Sequence, residues 1–100
     1  MIEFKKKASD TLDDIFNLVE SKFDNYEVDF EDENLRIDSL EGRGTFIVSI
    51  HSPTSQIWLS SPISGSHHFE NKSTDSVEWI STRDTNINLK QLIIKELGSE

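Results

Sequence analysis

The sequence has no cysteine. It therefore has no disulfide framework, no thiolate metal site and no cysteine nucleophile, and a reducing cytosol or organelle matrix is the setting that suits it. Only two prolines and four glycines punctuate one hundred residues, and no linker or internal repeat stands out. No apolar run approaches the length of a membrane span, and no signal-peptide core follows Met1. Lys5, Lys6 and Lys7 lead straight into Ala8, Ser9 and Asp10, whose acidity argues against an export signal. Positive charge is scarce as well. Ten Lys and Arg against nineteen Asp and Glu leave a formal net charge of −9, which disfavours direct binding to nucleic acid or an anionic membrane. Such acidity suits cations or a basic protein partner, with plain solubility as the bland alternative. Catalytic signatures are missing too: there is no G-x-S-x-G elbow, P-loop, G-x-G-x-x-G or H-E-x-x-H.

What is present is pattern. A hydrophobic fraction of 34% supports a folded domain, expected as one unit over residues 1–100. Phe4, Ala8, Leu12, Ile15, Phe16, Val19 and Phe23 recur at spacings of three and four, predicting a helix over 3–24. Asp10, Asp13, Asp14, Glu20 and Asp24 fall on its opposite side. Residues 26–31 then alternate cleanly, with Tyr26, Val28 and Phe30 on one face and Glu27, Asp29 and Glu31 on the other. Further strands are expected over 35–40, 45–51, 56–62, 66–70 and 77–82. A final helix is expected over about 87–97, with Asn86 as its N-cap and Gly98 at its end. Short strands joined by tight turns form an antiparallel meander, and two amphipathic helices can cover only one face of it. The expectation is an α+β, two-layer α/β sandwich with five or six strands.

On that scheme Trp58 is out of place. Ile57 and Leu59 point to the core, so Gln56, Trp58 and Ser60 face outward. An aromatic among polar neighbours on an open face marks a docking point. The same alternation exposes Ile47, Ser49 and His51 and sets His68 beside Glu70, away from His67 and Phe69. His67 and His68 cannot both reach one metal from a regular strand, so surface docking suits His68 better than zinc ligation. The serines at 60, 61, 64 and 66 lie near these histidines, but nothing supplies an oxyanion hole. Trp79 reads as a packed sheet residue.

The acids are the second candidate site. Glu20, Asp24, Glu27, Asp29 and Glu31 follow one another from the helix into the first strand and could join Asp13 and Asp14 in one patch. Like charges at such spacing repel, and a cation would relieve that repulsion. All-oxygen, surface-exposed ligands suit a divalent ion held loosely with much of its water. There is no EF-hand spacing to make a tight calcium cage.

Thr11-Leu12-Asp13, the acidic strand Tyr26–Phe30, Gly44-Thr45-Phe46-Ile47-Val48, the run Gln56-Ile57-Trp58-Leu59-Ser60-Ser61-Pro62 with Gly65, and the closing helix Leu89–Leu97 together resemble the frataxin family. The likeness spans nearly the whole chain and leans towards its bacterial CyaY form. The resemblance implies a role in iron–sulfur cluster assembly. It implies weak Fe²⁺/Fe³⁺ binding on an acidic ridge, here Asp13, Asp14, Glu20, Asp24, Glu27, Asp29 and Glu31. It also implies docking to a cysteine desulfurase and an iron–sulfur scaffold protein through Ser49, Gln56, Trp58 and His68. Relatives often carry Asn where this chain has Ser49. Mitochondrial members often carry Arg at the place of His68, so the histidine agrees better with bacterial ones. The expected setting is a bacterial cytoplasm, with the mitochondrial matrix as the alternative, and a monomer that oligomerises under iron. Two other readings remain: a generic acidic interaction module without specific iron binding, and a ferroxidase.

Overall fold

Apolar side chains at helical spacing wind Ile2–Lys22 into α1, with Ala8, Leu12, Ile15 and Val19 fully buried along one line. The computed structural model describes residues 2–71 and 78–98, with side chains from Phe4 onward. After α1 come β1 (Tyr26–Glu31), β2 (Asn34–Ser39), β3 (Thr45–His51), β4 (Gln56–Ser61), β5 (Gly65–Asn71), β6 (Trp79–Ser81) and α2 (Leu89–Leu97). The strands pair in chain order as one antiparallel meander. Both helices pack on one face of it. Leu35, Ile37, Phe46, Val48, Ile57, Leu59 and Phe69 meet Ile15 and Val19 of α1 and Leu89, Ile93 and Leu97 of α2 in a single core. Burying each of these aliphatic and aromatic side chains stabilises the fold by roughly 1.5–3 kcal/mol before entropy is counted. The α+β sandwich is the expected one.

Trp79 is part of that core. It is 3% exposed, meets Phe4 edge-on at 5.9 Å, and donates its indole N–H to Thr11 Oγ1 at 2.7 Å. A buried indole needs such a partner. A second polar link fastens α2: Ser61 Oγ donates to Glu96 Oε1 at 2.6 Å and accepts from the N–H groups of Ile63 and Ser64. Glu96 is 7% exposed, and its buried carboxyl is held by the Ser61 hydroxyl.

Several boundaries differ from expectation. α1 ends at Lys22, which leaves Asp24 in the connection to β1. β2 starts at Asn34 and stops at Ser39, and Leu40 sits in the following turn, 61% exposed. Its N–H donates to Asn25 O, so this turn is joined to the α1–β1 connection. Pro62 falls outside β4. The α2 cap is Asn88, whose Oδ1 accepts from the N–H groups of Lys90 and Gln91. Asn86 is instead part of the preceding turn, donating its N–H to Asp84 Oδ1. Of the last strand, Val77 lies outside the described residues. Gly44 has φ 114°, and a Cβ there would come within 2.5 Å of Pro62 Cβ, so only glycine lets the β2–β3 and β4–β5 turns approach.

Candidate functional site

The face of the sheet opposite the helices carries a continuous row. Register pairs Glu31 with Asn34, Asn34 with Ser49, Ser49 with Trp58 and Trp58 with His68. The side-chain period of two does this, because a slip of one residue in any strand would turn its contribution inward. Ser49 Oγ donates to Asn34 Oδ1 at 2.7 Å, which locks the middle of the row. Gln56 lies on the same face of β4 and accepts the Trp58 indole N–H at 2.8 Å. Ser49, Gln56, Trp58 and His68 are thus brought together.

His51 belongs with them. Its ring stacks on Trp58 at 3.8 Å between centroids and 15° between planes, while its Nδ1 is 2.8 Å from Thr54 Oγ1. Alternation alone places His51 on the open face, but its contact with Trp58 depends on how β3 turns into β4. That turn is a 3₁₀ segment, Ser52–Thr54, followed by Ser55 at φ 55°. His67 is elsewhere, half-buried, with Nε2 2.8 Å from Ser64 Oγ and its ring 6.0 Å from Phe69.

Beside the row lies a charged strip. Asp38 accepts from Thr45 Oγ1 at 2.6 Å and from Arg36 Nε at 3.0 Å. The Thr45 hydrogen bond first, and Arg36 after it, hold its carboxyl below the usual carboxylate range.

The acids divide into groups. Glu20, Asp24, Glu27 and Asp29 line one shallow, open groove of about 400 Å³, together with Phe23, Tyr26, Val28 and Leu40. None of these four carboxylates has an ion-pair partner among the described residues. Asp13 and Asp14 are exposed on α1, and neither lines the groove; Asp14 borders a different hollow with Thr11, Trp79, Asn88 and Lys90. Glu31 stands at the end of the Trp58 row. Among the described residues no three acids or histidines converge closely enough to hold a metal ion directly. The groove does not form a chelating cage among the described residues; a cation held by its all-oxygen donors would be reached through water.

The frataxin-like domain family model matches residues 1–100. The chain belongs to the frataxin family. The mitochondrial frataxin homolog of Schizosaccharomyces pombe is 38% identical over 87 residues, 83% of this chain and 54% of that protein. The solved structure of trimeric Saccharomyces cerevisiae frataxin complexed with ferrous iron is 27% identical, with a TM-score of 0.73 over 91% of this chain and 81% of that one. The frataxin of Psychromonas ingrahamii is 18% identical with a TM-score of 0.77, covering 91% of this chain and 81% of that one, and shares the fold. This frataxin-family chain spans about half the length of the curated relatives it matches. Among the described residues no helix is long and apolar enough to cross a membrane.

Proposed function

We propose that this chain acts as one frataxin domain that modulates iron–sulfur cluster assembly. In this reading it takes Fe²⁺ and Fe³⁺ weakly as cargo and docks to a cysteine desulfurase and its scaffold protein. The observation that carries it is the groove lined by Glu20, Asp24, Glu27 and Asp29, none of which has an ion-pair partner among the described residues. Four uncompensated carboxylates around one hollow raise the local cation concentration and give an aquo-ion several outer-sphere acceptors. Asp13, Asp14 and Glu31 extend the negative field and have lesser parts in holding the ion. Docking is assigned to Ser49, Gln56, Trp58 and His68, where a large aromatic is presented on a polar sheet face. The mitochondrial names of the curated relatives favour the matrix over a bacterial cytoplasm as its place of work.

An anaerobic Fe²⁺ titration followed by backbone amide shifts tests the metal half. Shifts should cluster on residues 20–31 and be lost on charge reversal of Glu27 and Asp29. Scattered shifts would leave the generic acidic module as the better reading. A ferroxidase instead requires iron oxidation faster than in buffer, abolished by Asp24 and Glu27 substitution.

A further inference from the structure

Both faces of the Trp58 indole are already occupied. β3 and β5 flank β4 on opposite sides, so His51 and His68 approach the ring from opposite sides. His51 stacks at 3.8 Å and 15°, His68 at 4.3 Å and 13°. Gln56 holds the indole N–H, which fixes the ring between them. Trp58 therefore offers a partner only its edge. A partner that packs on the indole face must first displace a histidine.

The two covers are not equivalent. His51 is tied to Thr54 at the β3–β4 turn. The His68 ring nitrogens have no hydrogen-bond partner among the described residues. His68 also borders an open hollow of about 400 Å³, lined further by Ser66, Thr82 and Arg83. That hollow gives the ring a second place to lie. The Arg83 guanidinium at its wall donates to Ser66 O at 2.8 Å, so its charge is held there.

We infer that His68 is a proton-controlled leaf over Trp58, closed when charged and free to swing into the Ser66–Thr82–Arg83 hollow when neutral. This rests on the reading of Trp58 as the centre of a docking surface. Histidine is the side chain that ordinarily changes charge between pH 5 and 8. An imidazolium gains cation–π attraction to the indole that the neutral ring lacks, and the same charge is repelled by Arg83 in the hollow. Both effects push the charged ring onto Trp58. Other charges on this face are Glu27, Asp29 and Glu31 from β1, Arg36 and Asp38 from β2, and Glu70 from β5; β4 contributes none, and no helix packs here. Charging His51 as well adds a second cation, but the indole lies between the two rings and keeps them apart. The docking surface is thus closed in acid and opens towards neutral and alkaline pH.

Acrylamide, a neutral collisional quencher, tests this without any partner. The Trp58 contribution is read as native protein minus Trp58→Phe, with buried Trp79 as the common background. Its Stern–Volmer constant should be about threefold larger at pH 8 than at pH 6. His68→Asn should bring the pH 6 value up to that of pH 8, while His51→Asn should keep the pH dependence. A constant that is the same at both pH values in the native chain, or a pH dependence that survives His68→Asn, overturns the leaf. Capture of the cysteine desulfurase at both pH values separates the two readings. Normal quenching behaviour with no capture at either pH sinks the docking reading and leaves the leaf standing; Trp58-dependent capture with flat quenching does the reverse.

Discussion

Trp79 and Trp58 are both strand residues, and each gives its indole N–H to a side-chain oxygen, Thr11 in one case and Gln56 in the other. They stand on opposite faces of one sheet. Trp79 closes the seam between α1 and β6 and has no ring face left for anything else. Trp58 stands where no helix covers the sheet, and its ring faces are covered by two imidazoles, of which His51 is tied to Thr54. Strand parity alone decides which indole fastens the fold and which one stands on the open face.

The contrast breaks most visibly at Trp79. Trp79→Ala should cost about 3–5 kcal/mol in urea denaturation, since it removes a buried ring and leaves Thr11 facing a cavity. A loss below about 1 kcal/mol would dissolve the distinction. Thr11→Val is the sharper version, because it strands a buried indole N–H and should cost about 1–3 kcal/mol with the ring still present. Trp58→Ala should change stability by less than about 1 kcal/mol yet weaken desulfurase capture by about tenfold or more. Equal capture would remove Trp58 from the docking surface. Neutralising the groove with Glu20→Gln, Asp24→Asn, Glu27→Gln and Asp29→Asn should leave stability within about 0.5 kcal/mol, or raise it, because like charges are relieved. The same variant should erase the iron-induced amide shifts.

The smallest effect belongs to Asp38. Its folded-state carboxyl is held low by Thr45 and then Arg36, so the stabilisation is complete above the unfolded carboxylate range. It is lost as pH falls through the lower folded value, below about pH 4. Thr45→Val should lower the neutral plateau slightly and so flatten that acid limb, with little change in stability at its acid end.

The alternation of Tyr26–Glu31, Thr45–His51 and Gln56–Ser61 made the sheet, its core face and the outward position of Trp58 legible in the sequence, because a period of two is a local signal. The two helices were legible for the same reason at a longer period. Boundaries were less so. Asn86 and Asn88 are equally good caps in composition, and the choice is made by the Asp84 turn and by the bridge between Ile80 and Asn88. Leu40 reads as the sixth residue of a strand, and its N–H still reaches Asn25 O one step beyond the Tyr26–Ser39 pair, but Asn25 lies before β1 and the chain turns at Leu40. The Trp58 row followed from parity, but His51 joins the indole only through the 3₁₀ turn and the left-handed Ser55. The acids read as one run; in space four of them line a groove, while Asp13 and Asp14 do not.

β1 is an outermost strand, paired only with β2 in the sheet. An unpaired edge of this kind is a template for a second copy of itself. Glu27, Asp29 and Glu31 stand at every other position along it, so two such edges brought together would set carboxylate rows against each other. Their mutual repulsion acts as a guard against strand-to-strand assembly. The strength of that guard is a Coulomb term, so it weakens as ionic strength rises and screens one carboxylate row from the other.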